Sequence, residues 1–173
     1  MKPLPITLSV SLLERFGSNV PMHFDGIGNT ALLDVPLLGL IASRECSGKV
    51  LMETLERVPQ WVQAGRVIVS GFHSPLEQQV LRSVLRRKGQ VVKVLARGIQ
   101  DYRPEPDERE PLAAGQMLLI TACPPNVTRT TRATALARNR LVLALASECV
   151  VPHVAAGSPL ESLLAERGQH DGI

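Results

Sequence analysis

Aromatic side chains are scarce in this sequence of 173 residues, which contains one tryptophan, one tyrosine and three phenylalanines. A binding surface built from several stacked aromatic rings is therefore not expected. Cysteine is also scarce. Cys46, Cys123 and Cys149 form no CxxC pair and no Cys/His cluster, so we expect no metal site and reduced, half-buried thiols.

Long apolar runs are missing as well. No segment approaches the roughly 18 to 20 uninterrupted apolar residues that a membrane-spanning helix needs. The N-terminal MKPLPITLSVSLL lacks the pattern of a secretory signal peptide. We therefore predict a cytoplasmic protein with no membrane partner. A length of 173 residues, with 45% hydrophobic and 20% charged residues, fits one globular domain.

Acidic residues are absent from two long stretches of the chain, although the net charge is only +3. Residues 78–100 contain six basic residues, and residues 111–147 contain four. The acids gather in residues 101–111 (DYRPEPDEREP) and towards both termini. Segregated charge of this kind predicts a basic face that binds a polyanion. The alternative is that neighbouring elements interleave the charges in space, which would leave no such face.

Apolar runs and helical spacings alternate along the chain after residue 36. This alternation predicts an α/β fold, a doubly wound, mainly parallel Rossmann-like sheet with helices on both faces. We expect a single domain in which residues 1–36 form an N-terminal cap packed on a core of residues 37–173. The predicted strands are residues 37–42, 66–70, 91–95, 117–121 and 149–154, and the predicted helices lie near residues 50–62, 76–85, 136–146 and 160–167.

Three local features complete this pattern. Pro59 is expected to kink or end the first of these helices. The acidic, proline-rich residues 101–111 are expected to form an exposed loop. A capped helix start is predicted by Ser74, Pro75 and Glu77. The Ser hydroxyl accepts from an unpaired N–H group of the first turn, and Pro at the first helical position has no N–H group that would stay unpaired.

The predicted topology indicates where a ligand binds. In doubly wound sheets ligands lie beyond the C-terminal strand ends, where the strand order reverses. We predict that the first and fourth strands are neighbours there, so that Arg44 meets Arg138 and Arg140 at the start of the following helix. Three converging arginines would repel one another unless an anion joined them, so they predict a phosphate site. The alternative is a structural network in which Glu45 or Glu161 neutralises them.

Several segments, in the same order and at similar spacing, resemble the Rossmann-like core of the DNA-processing protein A family (DprA, also called Smf). The resemblance covers roughly residues 24–168. The segments that carry it are GIGNTALLDVPLLGLIASR (residues 26–44), Ser70-Gly71, residues 91–99, LLITACPPN (residues 118–126), Arg138-Asn139-Arg140 followed by LVLALAS, and Gly157-Ser158.

The resemblance implies a non-enzymatic protein of DNA recombination that binds single-stranded DNA or a nucleotide through a basic pocket. It also implies a recombinase as a partner, a homodimer, and no cofactor. Arg44, Arg138 and Arg140 would contact phosphate. The full set of ligand-binding residues that the resemblance implies is Ser43, Arg44, Gly71, Arg138, Asn139, Arg140, Gly157 and Ser158.

Residues 73–77 (HSPLE) depart from the family pattern, which has Ala-Arg-Gly-Ile-Asp at this place. We therefore expect a divergent and minimal member. Two alternatives stay open: a nucleotide-binding sensor or phosphoribohydrolase-like enzyme of the same superfamily, and a non-catalytic interaction module. In such an enzyme Glu161 would supply the carboxylate near the ribose, but Ala155 and Pro159 interrupt the phosphate cradle of those relatives.

Overall fold

The computed structural model describes residues 2–170, apart from the side chains at positions 19 and 168–170. One mixed sheet forms the centre of the fold. Its strands, in chain order, are β1 (Leu4–Pro5), β2 (Asp25–Gly28), β3 (Leu37–Leu40), β4 (Val67–Ser70), β5 (Gln90–Val94), β6 (Met117–Thr121) and β7 (Ala146–Val150). The helices are α1 (Val10–Glu14), α2 (Gly48–Gln63), α3 (Pro75–Arg86), α4 (Pro106–Ala113), α5 (Arg132–Leu145) and α6 (Pro159–His170), with short 3-10 turns at Gly17–Asn19 and Thr30–Leu33.

The strands lie in the order β1-β2-β6-β5-β4-β3-β7. The five neighbouring strands β6, β5, β4, β3 and β7 are all parallel, which confirms the predicted parallel sheet. At the other edge, β2 pairs antiparallel with β6, and β1 pairs antiparallel with β2. The prediction that the first and fourth strands are neighbours was wrong. The fourth, β6, is separated from the first, β3, by β5 and β4, because each helix up to β6 moves the chain one strand further in the same direction. The order reverses between β3 and β7.

Helices cover both faces of the sheet, as predicted. Successive residues of a buried strand point to opposite faces. Val67 and Val69 lie in the core with α5 and α6, whereas Ile68 lies in the core with α2 and α3. Leu112 of α4 joins the α2–α3 face, and Leu12 of α1 joins the α5–α6 face.

The acidic segment is not the exposed loop that was predicted. Pro106 begins the helix α4, which is capped by reciprocal hydrogen bonds between Glu105 and Glu108. Glu108 is only 1% exposed, because it forms an ion pair with Lys93 of β5. Pro59 likewise does not end its helix: it lies on the exposed side of α2, which continues to Gln63.

The predicted capped start at Ser74 is confirmed, with Pro75 at the first helical position and Glu77 completing the capping box. The C-terminal elements begin earlier than predicted. α5 begins at Arg132, so Arg138, Asn139 and Arg140 lie in the middle of a helix and not at its start. β7 follows immediately after α5, at residues 146–150.

The N-terminal segment contributes to the sheet itself. β2 pairs with β6 along its whole length, and β1 extends that edge by one more short strand. Residues 4–5 and 25–28 thus belong to the same sheet as the core strands. The division into an N-terminal cap of residues 1–36 and a core of residues 37–173 stays a prediction.

Candidate functional site

A cavity of about 180 Å³ lies at the C-terminal ends of β4 and β5. It lies on the edge of the sheet where ligands bind in this fold class, beside the reversal of strand order between β3 and β7 and not at it. Its lining includes basic or titratable side chains and no acidic one. The lining residues are Gly71, Phe72, His73, Lys93, Val94, Leu95, Ala96, Arg97, Thr130 and Arg138.

Arg138 is the most buried arginine of this cavity, with 9% of its surface exposed. Its position follows from α5: Leu141 and Val142 are buried against the sheet, and residues three and four positions apart share one helix face. Arg138 is therefore directed inward over the turn after β4. Gly71 makes room for it, because a Cβ there would lie 2.5 Å from Arg138 Nε.

The Arg138 guanidinium has few acceptors within the described part of the chain. Nε and Nη2 donate to Oδ1 of Asn139, at 3.2 and 3.0 Å. Glu77 is the nearby acid, but its carboxylate accepts from the N–H groups of Ala42, His73 and Ser74. Burial lowers the pKa of Arg138, and Glu77 opposes that shift. Because a guanidinium has five N–H donors and the bonds to Asn139 use only some of them, Arg138 keeps donors for a ligand in the cavity that it lines.

Arg44 and Arg138 lie near the same side chain, His73. Partial burial of the ring lowers the pKa of His73, and the positive charges of Arg138 and Arg44 lower it further, while Glu77 acts in the opposite direction. The structure therefore brings Arg44 and Arg138 to one region of the strand ends, although they are far apart in sequence. His73 is mainly neutral at pH 7 for the same reason.

Arg140 faces away from this region. Side chains two positions apart on an α-helix, such as those of Arg138 and Arg140, point in directions that differ by about 200°. Arg140 forms an exposed ion pair with Glu166 of α6 at 3.2 Å. Two other basic residues of the acid-free stretches also form ion pairs with acids on neighbouring elements, so the predicted basic face is partly interleaved with negative charge. The three pairs, including that of Arg140, are Lys88–Glu110, Lys93–Glu108 and Arg140–Glu166.

The remaining predicted residues use their polar groups within the fold. Ser43 Oγ accepts from the N–H of Ala155 at 2.8 Å, and this bond ties the end of β3 to the loop after β7. Gly157 adopts a φ of +70°, and its N–H donates to Glu161 Oε2 at 2.6 Å. Ser158 Oγ accepts from the N–H of Glu161. The carboxylate of Glu161 thus closes the turn that begins α6.

Four polar side chains of the cavity were not among the predicted ligand-binding residues: His73, Lys93, Arg97 and Thr130. Lys93 interrupts an apolar strand, VVKVL, and a lysine inside a strand with helices on both faces was the available signal. Arg97 follows the same strand at the ligand edge. Thr130 belongs to the irregular segment before α5, where the sequence offers no periodicity. Phe72, next to Gly71, adopts a φ of +47°, a conformation that non-glycine residues rarely adopt and that is common at functional turns.

Two absences hold for the part of the chain that the structure describes. No group of three or more His, Cys, Asp or Glu side chains is arranged to hold a metal ion. Among the same residues, no helix has the length and apolar character required to cross a membrane.

The chain is similar to known proteins in both sequence pattern and fold. The family model for DNA recombination-mediator protein A matches residues 10–159. DNA processing protein A from Helicobacter pylori, studied for its single-stranded DNA binding mode, has a TM-score of 0.79 at 21% identity, and the match covers 98% of this chain and 78% of that one. DprA from Streptococcus pneumoniae has a TM-score of 0.76 at 23% identity, with 98% of this chain and 60% of that one covered.

The present chain thus spans about three fifths of the length of the Streptococcus pneumoniae protein. No curated protein sequence matches it significantly. The two solved structures share its fold, and the family model extends over most of its length, from α1 to the start of α6. The chain belongs to the DNA recombination-mediator protein A family.

Proposed function

We propose that this protein binds single-stranded DNA without catalysing a reaction on it, and that a phosphate group of the strand occupies the cavity at the ends of β4 and β5. The observation that carries the proposal is the buried Arg138, which has no carboxylate within ion-pair distance among the described residues. Burial of a charge without a directly paired carboxylate costs free energy, and the nearby Glu77 offsets only part of that cost for Arg138. A phosphate in the cavity would offset the rest.

The chemistry of the cavity suits a phosphate. Arginine donates paired N–H groups that match phosphate oxygens in spacing and plane. Arg44 adds a second positive charge near His73, and Thr130 adds a hydroxyl group to the lining. Because these contacts address the backbone of a nucleic acid, they predict binding with little sequence preference and a strong dependence on salt.

The cavity at the ends of β4 and β5 measures about 180 Å³, less than the roughly 300–1,000 Å³ of pockets that enclose a small molecule. It accommodates one phosphate, with the rest of the ligand outside. Arg138 also lines a larger cavity of about 920 Å³, together with Arg15, Arg140 and Glu166, so the choice between a strand and a nucleotide rests on the ligand test and not on cavity size. The carboxylate that a nucleotide-cleaving enzyme would need, Glu161, already accepts the N–H of Gly157 at the start of α6. We therefore favour the binding function over the hydrolase.

The proposal extends to the partners that the family suggests. We propose that the protein is cytoplasmic, acts as a homodimer and works beside a recombinase, with single-stranded DNA as their common substrate. The relative from Helicobacter pylori, which has a single-stranded DNA binding mode, supports the choice of ligand.

The test compares two ligand classes on the same protein. Fluorescence anisotropy with a labelled single-stranded oligonucleotide should show binding that weakens steeply between low and high salt, with similar affinity for unrelated sequences. Thermal unfolding with mononucleotides should show no shift, whereas a bound ligand at 100 times its Kd adds about 2.7 kcal/mol of stability. A shift with a mononucleotide and no oligonucleotide binding would establish the sensor instead. Binding of neither ligand would favour the interaction module.

A further inference from the structure

The cavity has a second arginine, Arg97, on the β5 side. Its guanidinium carbon lies 5.5 Å from the centre of the Tyr102 ring, and no acid of the described residues lies within ion-pair distance of it. We propose that Arg97 is a further phosphate-binding residue, and that a network of Lys93, Tyr102 and Glu108 positions it. This inference rests on the proposed function, because it concerns the same cavity.

The network beneath Arg97 is largely buried. Lys93 Nζ donates to Glu108 Oε1 at 2.5 Å and to the Tyr102 hydroxyl at 3.1 Å. The Tyr102 hydroxyl donates to Glu108 Oε2 at 2.7 Å. The side chain of Glu108 is 1% exposed and that of Lys93 is 16% exposed. Each group of this triad thus has a defined partner, and the tyrosine ring is held in one orientation.

The positive charge of Lys93 and the negative charge of Glu108 cancel within the triad, so the triad supports Arg97 and does not itself attract an anion. Lys93 lines the cavity, but the carboxylate of Glu108 neutralises it, so Lys93 adds little net attraction for an anion. Burial and the hydrogen bond to Glu108 raise the pKa of Tyr102, so its hydroxyl stays protonated and keeps its donor role. The free positive charge on this side of the cavity is that of Arg97.

Backbone contacts fix the place of Arg97 as well. The carbonyl of Arg97 accepts from Thr121 Oγ1 at 2.8 Å, and the N–H of Gly98 donates to the carbonyl of Val127 at 2.7 Å. Strand β6 and the segment before α5 therefore hold the turn that carries the arginine. A positioned arginine loses less conformational freedom when it binds, which strengthens each contact it makes.

Arg97 and Arg138 line the same cavity of about 180 Å³, so a group that fills it contacts both. One phosphate carries enough oxygen atoms to accept from two guanidinium groups at once. The expected contact is therefore a phosphate between the arginine that follows β5 and the arginine that packs on Gly71. Lys93 interrupts the apolar strand because its ammonium group bonds the Tyr102 hydroxyl and the carboxylate of Glu108.

The first experiment measures oligonucleotide affinity against salt for the parent chain and for Arg97→Gln. Because Arg97 is half-buried and its guanidinium bonds no carboxylate, the variant is expected to fold. Loss of one charge-assisted contact should weaken binding about ten- to a hundredfold, and the slope of log affinity against log salt should fall by about 0.7 for a single strand. Arg86→Gln is the matched control: it removes an exposed arginine at the far end of α3, roughly 16 Å along the helix from its start. The control should keep the parent's affinity to within about twofold.

The second experiment separates positioning from direct contact. Tyr102→Phe keeps the ring under Arg97 and should retain most of the affinity, whereas Tyr102→Leu removes the ring and should weaken binding severalfold. Both variants keep Arg97, so both should keep the parent's salt slope. If the parent does not bind oligonucleotides, the proposed function fails together with this inference. If the parent binds and Arg97→Gln matches it in affinity and slope, the inference alone is wrong.

Discussion

The close packing of Gly71 against Arg138 allows a test that leaves every charge of the protein in place. In Gly71→Ala the new Cβ would lie 2.5 Å from Nε, 2.7 Å from Cδ and 2.9 Å from Cζ of Arg138. Ordinary contact begins near 3.4 Å, so the guanidinium must move outward by about 1 Å. Backbone strain is not expected, since Gly71 is not among the residues with a positive φ.

The expected effect on affinity is large and the effect on stability is small. Misplacing the guanidinium removes hydrogen bonds to a charged partner, which are worth about 1.5–3 kcal/mol. Affinity for a single strand should therefore fall about ten- to a hundredfold. Replacing a glycine by alanine stabilises by about 0.4–1 kcal/mol through the unfolded chain, and the displaced side chain offsets part of this gain. The net change in the free energy of unfolding should stay within about 1 kcal/mol.

The assay is anisotropy with a short single-stranded oligonucleotide at low salt, accompanied by urea unfolding of the same samples. Gly48→Ala is the matched control, because a Cβ at this first residue of α2 meets no atom within 4 Å. The control should bind as the parent does. If Gly71→Ala also binds like the parent while its unfolding is unchanged, the guanidinium of Arg138 is not the phosphate contact.

Three further predictions concern other charged groups. His73→Gln should reduce the loss of unfolding free energy between neutral and mildly acidic pH. Because folding lowers the pKa of His73, the stability that its neutral form contributes is fully present above about pH 6.5 and is lost as the pH falls below that value. A variant that loses stability in acid as the parent does would contradict this. Arg140→Gln should change oligonucleotide affinity less than about threefold, since Arg140 pairs with Glu166 at an exposed site, and a loss comparable to that of Arg138→Gln would place Arg140 in the site. Glu108→Ala should lower the free energy of unfolding by about 3 kcal/mol in urea titration, because it leaves Lys93 without its carboxylate; a loss below about 1 kcal/mol would show that water replaces that partner.

The order of strands and helices was predictable because each depends on local pattern. Buried parallel strands such as 37–42 and 117–121 are continuous apolar runs, and the capped start of α3 needs only residues 74–77. The antiparallel pairing of β2 with β6 was not predictable, because it joins segments about ninety residues apart and the N-terminal pattern is weak. The prediction that β6 lies beside β3 was wrong for the same reason, because the order of strands in a sheet depends on contacts between distant segments and not on local sequence pattern.

The candidate site was predictable only in part, for a similar reason. Arg44 and Arg138 follow from the motif pattern and from the edge of the sheet where their elements end. The direction of Arg140 depends on the phase of α5, which begins four residues earlier than the sequence suggested. Glu108 belonged to a segment that composition marks as exposed, and only its pairing with Lys93 across the fold buries it.

The most direct test of the central claim is a paired measurement on Arg138→Gln: single-strand affinity as a function of salt, and the free energy of unfolding without DNA. If Arg138 is a buried cation held for a phosphate, the variant should bind at least about tenfold more weakly, with a salt slope lower by about 0.7. Its unfolding free energy should stay close to that of the parent, because the cost of burying the guanidinium is lost together with its attraction to Glu77. A variant that binds DNA like the parent but unfolds more easily would show that Arg138 has a structural role, and would contradict the account.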